Sequence, residues 1–503
     1  MAAWGDYDFI NIMSSSQIAT GSDLPAQLTR RRRVGVLLIC SMSLLIVGLD
    51  VTIVNVALPQ IGRSFHAPLS GLQWTVDSYT LVLASLLMLS GSTADRLGRR
   101  RTFVLGLLTF SAGSLLCSVA PNLTTLIIFR MMQAVGGSML NPVALSIVTN
   151  TFTQPRERAQ AIGVWAAVIG VSMALGPVVG GLLVTAIGWQ SVFWINVPIG
   201  LAAVVLALRF IPESKALVAR RVDVPGQFLV IALLSSLTYA IIEAPNRGWS
   251  SPWIMASLGV AVASLSALLL WERRVTEPLV DLRFFRSVPF ASATIIAVAA
   301  FSSLGGFLFL NTLYLQDVKG LSALRAGIDT LPMAAMIMVL PPLSGRLVGR
   351  HGSRIPLVAA GSAMAVSCLL LVGLTTTTSF AWLFLSYVIF GIGFGFVNPP
   401  ITNAAVSGMP RAQAGVAAAI ASTSRQIGAT LGVAIVGALV SSSVAKGGHL
   451  TFAAASRAGW WTLFGCAIVI LVLGLVATTP WAKATARHTA ETLNPEFLEG
   501  HTP

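Results

Sequence analysis

The sequence predicts an all-α integral membrane protein of fourteen transmembrane helices, arranged as two pseudo-symmetric six-helix halves with two further helices inserted between them. Three observations carry this expectation. Of the 503 residues, 55% are hydrophobic and 10% charged, with a mean hydropathy of +0.81, which is too apolar for a water-soluble globule. Fourteen apolar runs have the roughly 20-residue length that crosses a bilayer as a helix. Landmarks in the first half also recur in the second at a nearly constant offset.

The runs begin near Val34, Gln73, Thr102, Thr124, Ala159, Ser191, Gly226, Trp253, Phe290, Arg325, Ile355, Phe380, Gln413 and Ala458. The first, Val34 to Pro59, follows Arg30, Arg31, Arg32 and Arg33 and holds a single charge, Asp50. Residues 1–33 contain acids and no apolar core ahead of those arginines, so no cleavable signal peptide is expected and the first span serves as the insertion signal. The net charge of +14 is distributed unevenly. Of the 32 Lys and Arg, six (Arg63, Arg247, Lys319, Arg325, Lys446, Arg457) fall on the side away from the N-terminus and two (Arg130, Arg425) fall in spans. The remaining 24 lie on the N-terminal side, a bias that places both termini in the cytoplasm and explains the basic charge without nucleic acid; few Lys beside many Arg, Ala and Gly point to a bacterial cell membrane.

Internal repetition sets the organisation. Gly91 to Arg101 (GSTADRLGRRR) aligns with Gly345 to Ile355 (GRLVGRHGSRI) at an offset of 254, Pro155-Arg156 with Pro410-Arg411 at 255, and Asn141-Pro142 with Asn398-Pro399 at 257. At one span per roughly 32 residues such an offset covers eight spans where a repeat needs six, so two spans are inserted, near Gly226 and Trp253. The expected divisions are a cytoplasmic tail (1–33), a six-helix bundle (34–211), the inserted pair with its linkers (212–289), a second bundle (290–480) and a cytoplasmic tail (481–503).

Asp50 stands about 24 Å from the cytoplasmic face of a hydrocarbon core about 30 Å thick, where an ionisable group costs at least ~2.5 kcal/mol and faces a partner or water. Counted from their span ends, Asp77 and Arg130 lie at similar depths, about 24 and 21 Å. Burial and a second carboxyl favour the protonated form of an acid while an arginine favours the ionised form, so such a trio could hold an exchangeable proton. A static buried ion pair is the alternative for Asp50 and Arg130, and a near-surface acid for Asp77. Arg425, about 18 Å into the thirteenth span, is either a clamp on backbone carbonyls or a group facing substrate or proton carriers. Cys40, Cys117, Cys368 and Cys466 sit in apolar runs without metal-like spacing. None of the four lysines stands in a Walker-type phosphate loop and the five histidines form no zinc motif. No metal, no cofactor and no enzymatic activity are expected.

Two six-helix halves of this kind resemble the major facilitator superfamily, and the inserted pair resembles its fourteen-helix drug:proton antiporter branch. Leu49 to Pro59 (LDVTIVNVALP) is similar to that branch's first-span signature, and Gly91 to Arg101 to the superfamily loop between spans two and three, departing at Thr93. Arg130 with Gln133 and Gly136-Gly137 resembles the fourth-span motif, with Ala134 in place of Gly. Gly176-Pro177-Val178-Val179-Gly180-Gly181 resembles the antiporter motif of the fifth span, continued by Trp189 and Asn196 to Gly200, with Gln190 where Arg is common.

The resemblance implies a gating role for Gly91, Asp95, Arg96, Gly98, Arg99 and Arg100, with Asp95 and neighbouring arginines latching the halves on the cytoplasmic side. The aligned second-half position is Gly349, so the acid is not a product of the repeat. For Gly176, Pro177, Gly180 and Gly181 it implies a hinge that biases the cycle to antiport, beside a plain packing role for small residues. The expected function is export of lipophilic or cationic small molecules in exchange for protons, giving multidrug resistance from within a lipid bilayer. One charge crossing 100 mV is worth ~2.3 kcal/mol, or roughly a 40-fold gradient. A dedicated exporter of one endogenous compound, such as an antibiotic, lipid or siderophore, is the alternative. A membrane enzyme or receptor is remote, because the loops are short and basic.

Overall fold

A computed structural model describes residues 29–215, 223–275, 278–407, 409, 413–447 and 452–493. Most of the N-terminal tail, Pro410-Arg411, part of the linker after Pro212, His449 and the end of the C-terminal tail lie outside the described residues. Among the described residues fourteen helices are long and apolar enough to cross a membrane. They are α1 (Arg30–Phe65), α2 (Leu69–Leu97), α3 (Arg99–Ser118), α4 (Leu123–Thr151), α5 (Arg156–Ala186), α6 (Ser191–Phe210), α7 (Val224–Arg247), α8 (Pro252–Glu272), α9 (Val288–Val318), α10 (Leu331–His351), α11 (Arg354–Val372), α12 (Phe380–Val406), α13 (Ala414–Ser443) and α14 (Phe452–Val476). A further helix, α15 (Pro480–Leu493), lies where sequence suggests only a tail; its Thr485 Oγ1 accepts from Val288 N at 3.0 Å, capping the start of α9.

The departures from sequence expectation have local causes. The tenth span is expected from Arg325, but a short helix (Ala323–Asp329) ends at Thr330 and α10 restarts with Pro332 in its first turn. Proline lacks the amide hydrogen that would continue the ladder and is tolerated at a helix start. The fourteenth gains a turn, Phe452–Ala455, because Ala453 and Ala455 join the second-half core. Pro59, the expected end of the first span, lies inside α1, which ends at His66 in a left-handed conformation (φ 49°).

Helices α1–α6 pack mainly on one another, as do α9–α14. The second group closes on Phe307, stacked on Phe390 at 4.3 Å and set edge-on to Tyr387 and Trp460. The two groups meet along two seams, α2 with α13, and α5 with α10 and the short helix before it. The inserted α7 lies over the first seam and α8 packs on α7, exposing Trp253, Met255 and Val262. Polar contacts attach α7 to α2: Trp74 Nε1 donates to Glu243 at 3.0 Å, Asn246 Nδ2 to Ser70 Oγ at 3.0 Å, and Gln227 Nε2 to the Ser85 carbonyl. The end where α1 begins carries Arg30–Arg33 and Arg99–Arg101 and is called the basic end below.

Close helix approach depends on missing side chains. A Cβ on Gly113 of α3 would stand 2.6 Å from the backbone of Gln133 on α4, and one on Gly305 of α9 would stand 2.7 Å from the Ala429 carbonyl of α13. Small residues let membrane helices gain dispersion contact where no hydrophobic force separates helix from lipid. Gly113→Val should therefore lower the thermal midpoint of the purified protein, since overpacking typically costs ~1 to 3 kcal/mol of stability. Gly259→Val, where a Cβ meets nothing within 4 Å, should melt as the parent does.

Candidate proton and substrate site

Asp50 is fully buried on α1 and its carboxylate is enclosed by donors from two other helices. Arg130 Nη1 of α4 lies 2.6 Å from Asp50 Oδ2, Gln133 Nε2 of α4 donates to Oδ1 at 2.8 Å, and Asn196 Nδ2 of α6 donates to the same oxygen at 3.1 Å. Arg130 is 1% exposed. Its Nη1 also reaches Gln133 Oε1 at 2.7 Å, its Nε donates to the Thr75 carbonyl of α2 at 3.2 Å, and its guanidinium sits 4.3 Å from the Tyr79 ring centroid. Ser114 Oγ of α3 accepts from Gln133 and Asn196, each at 3.1 Å, and donates to the Phe193 carbonyl. Five helices thus meet on one ion pair. Fixed donors of this kind make a buried charge tolerable where water is absent.

Asp77 does not join them. It is also fully buried, but among the described residues neither carboxylate oxygen has a hydrogen-bond partner. The reason is azimuth. Tyr79, under the Arg130 guanidinium, is two residues from Asp77 and therefore about 200° around the helix. Asp77 instead shares a face with Gln73 and Thr80, which bond to α13: Gln73 Nε2 donates to the Val433 and Ala434 carbonyls at 3.3 and 2.9 Å, and Thr430 Oγ1 donates to Thr80 Oγ1 at 2.8 Å. Asp50 and Arg130 meet at one level of the bundle, and the proximity expected of Asp77 is not found.

Gln316 Nε2, at the end of α9, donates to the Val56 carbonyl of α1 at 2.9 Å, and Leu324 N donates to Thr185 Oγ1 of α5 at 3.3 Å. These contacts, like that of Gln73, join the halves toward the end opposite the basic one. Between the halves near Thr52, Asn55, Pro177, Asn311 and Gln316 the open volume is about 10 Å³, the size of one water at most.

The fifth-span glycines face both ways. Side chains at Gly176 and Gly180 would collide with Thr52 and Ile53 of α1, less than one turn beyond Asp50. A side chain at Gly181 would stand 2.6 Å from the Ala323 carbonyl of the second half, and the Pro177 carbonyl abuts Gly327.

At the junction of α2 and α3, Asp95 in the last turn of α2 pairs with Arg99, the first residue of α3, at 3.0 Å. Gly98 takes φ 111°, a conformation that disfavours side chains, while Gly91 has open space and Arg96 is exposed. Glu213, which sequence reasoning missed, accepts from the backbone N of Arg100 at 3.1 Å and of Arg101 at 3.3 Å. An acid at a helix N-terminus satisfies orphan amides and complements the dipole. On α13, Arg425 Nη1 donates to Ser422 Oγ at 3.2 Å and Nη2 to Thr402 Oγ1 of α12 at 2.7 Å.

The profile of the Major Facilitator Superfamily matches residues 40–433. The chain belongs to the Major Facilitator Superfamily. It is similar to the multidrug resistance protein Stp of Mycobacterium tuberculosis (37% identity, covering 80% of this chain and 75% of that one) and to the tetracenomycin C resistance and export protein of Streptomyces glaucescens (37%, 84% and 78%). The puromycin resistance protein pur8 of Streptomyces alboniger is 34% identical over 91% of this chain and 92% of its own. Among solved structures, a bacterial homologue of the human lysosomal transporter Spinster, inward-facing and occupied, matches with a TM-score of 0.62 at 18% identity, covering 92% of this chain and 98% of its own. That likeness concerns the fold. As a superfamily member the chain is a multi-pass membrane transporter and not an enzyme.

Gln133 and Asn196 appear in the superfamily-like motifs, yet sequence alone does not aim them at Asp50. Gln133 is three residues from Arg130, hence on its face, and that signal was available. Ser114 carries no such signal. The geometry predicts that Asp50→Asn, which leaves Arg130 without its anion, lowers the melting temperature of the purified transporter, breaking a buried pair being worth ~3 to 5 kcal/mol. Asp77→Asn breaks no hydrogen bond and should melt close to the parent; an equal drop for both would place Asp77 in the network.

Proposed function

We propose that this transporter exports lipophilic small molecules, antibiotics among them, across a bacterial plasma membrane in exchange for protons, with both termini and the basic end in the cytoplasm. The observation that carries this reading is the Asp50–Arg130 pair, an exchangeable carboxyl held at membrane depth by Gln133 and Asn196. The names of the relatives supply the cargo: multidrug resistance, tetracenomycin C export and puromycin resistance. The Arg bias supplies the orientation.

The conformation is closed at the outer end, where Gln73 and Gln316 grip carbonyls of the opposite half. Protonation of Asp50 removes the charge that three donors converge on, and α1 is then free to shift against α4 and α6. The turn of α1 beyond Asp50 packs on Gly176 and Gly180, and Pro177 and Gly181 of the same helix touch the second half. Proton occupancy therefore reaches the seam through two packing steps. Asp95 and Arg99 act later, as a cytoplasmic latch in the outward-open state. Asp77, buried among the seam contacts, becomes accessible when the outer end opens and serves as a second proton site there. A cationic cargo would need an accessible acid, and in this conformation Asp77 is sealed. A second reading, a dedicated exporter of one compound, is favoured by relatives named for single antibiotics; a panel of structurally unrelated drugs separates the two.

In proteoliposomes with an imposed pH gradient, the parent should accumulate drug and lose that accumulation when an uncoupler is added. Asp50→Asn should bind drug but accumulate none, and Asp50→Glu should retain part of the rate. Gradient-driven accumulation at the parental rate by Asp50→Asn would overturn the proton site. Asp95→Asn should slow turnover several-fold with drug affinity unchanged, since the loop contacts neither the pair nor the seam residues described above.

A further inference from the structure

We propose that Arg425 makes the inner part of the transport path an organic-anion subsite, so that the preferred cargo is an amphipathic molecule bearing a carboxylate, sulfonate or phenolate. This rests on the export reading and assigns its substrate class. Arg425 lies eleven residues into α13, about 17 Å along the helix and near mid-membrane. Arginines at such depth are expensive and pair with acids, back-bond carbonyls or face a watery path. Among the described residues Arg425 has no carboxylate within ion-pair distance, and its recorded bonds go to two hydroxyls, Ser422 and Thr402, not to backbone. Its Nε is buried without a hydrogen-bond partner. A guanidinium carries five donors, so most of the fork is uncommitted.

Direction follows from the helix. Ile427 packs into a cluster with Leu81 and Ala84 of α2 and Leu234 of α7, and Arg425, two residues before it, points about 200° away from that junction. It reaches across to Thr402, which is exposed, as is its neighbour Asn403. Among the described residues no acid pairs with it there. Asp50 is saturated by Arg130, Gln133 and Asn196, and Asp77 is fully buried. Glu243 bonds Trp74 and Arg247, Asp317 faces Arg63, and Asp329 pairs with Arg325, all toward the outer end. Among the described residues the inner-end acids Asp95, Glu157 and Glu213 are paired with Arg99, Arg33 and Arg100/Arg101, so the charge near mid-membrane on that side without an acid partner is the Arg425 guanidinium, whose planar fork suits bidentate binding of an oxyanion.

The test uses the full chain in zwitterionic nanodiscs and three probes on one ring system: pyrene-1-sulfonate, 1-pyrenemethanol and (1-pyrenylmethyl)trimethylammonium. Equilibrium binding is read by energy transfer from protein tryptophan. The parent should bind the sulfonate at least tenfold more tightly than the alcohol or the ammonium. Arg425→Gln should erase that preference with alcohol affinity unchanged, and Arg425→Lys should keep part of it. Equal affinity of the parent for all three probes, or an ammonium preference, overturns the proposal. So does uniform weakening of all three by Arg425→Gln with the sulfonate preference intact, which marks a structural prop. Should Arg425→Gln fail to accumulate, the parent's own preference and its retention in Arg425→Lys decide. Binding is measured without a proton gradient, so a protein that prefers the sulfonate yet moves none of the probes against a gradient keeps the anion subsite and loses the export reading.

Discussion

A carboxylate that cannot be solvated has to be held by protein, and Asp50 is held from every side that the fold makes available. Arg130 neutralises it, Gln133 and Asn196 donate to it, Thr75 and Tyr79 fix the guanidinium, and Ser114 ties the two amides together. These groups come from α1, α2, α3, α4 and α6, so the first bundle is arranged around one charge. A network of this kind is sensitive to a single proton, because neutralising the acid strands several donors at once.

The placement of the small residues gives that sensitivity somewhere to go. Ile53, one turn beyond Asp50, seats Gly180, and Thr52 seats Gly176. The same helix α5 meets the second half through Pro177 and Gly181. A shift of α1 is therefore felt at a seam between the halves without any long chain of intermediates. The other seam is bridged by Gln73 and Thr80 and overlaid by the inserted α7, whose three polar contacts all fall on α2. Those hydrogen bonds fall on the first half, while Ile427 of α13 joins Leu234 of α7 in an apolar cluster from the second half, so α7 bridges the seam.

Much of this was legible in the sequence, because the relevant signals are one-dimensional. Length and apolarity mark spans and spacing marks the repeat; the fourteen helices follow from these. Depth is also one-dimensional, and it correctly put Asp50 and Arg130 at one height. It says nothing about rotation around the helix axis, which is why Asp77 looked like a third member when it points to α13. Neutral partners such as Ser114 and Asn196 leave no charge signal, and the cap that Glu213 places on α3 joins segments more than a hundred residues apart. The break before α10 was foreshadowed by Pro332, but a proline at a start and a proline in a kink read alike until packing chooses between them.

The most direct test of the central claim follows the carboxyl itself. Infrared spectra of the reconstituted protein, titrated with acid in the presence and absence of a transported drug, report the C=O stretch of protonated carboxyls. The account predicts a band that Asp50→Asn lacks and whose titration midpoint moves when drug is added. A spectrum unchanged by Asp50→Asn, or an Asp50 band indifferent to drug, would contradict it and leave the Asp50–Arg130 pair as a structural brace.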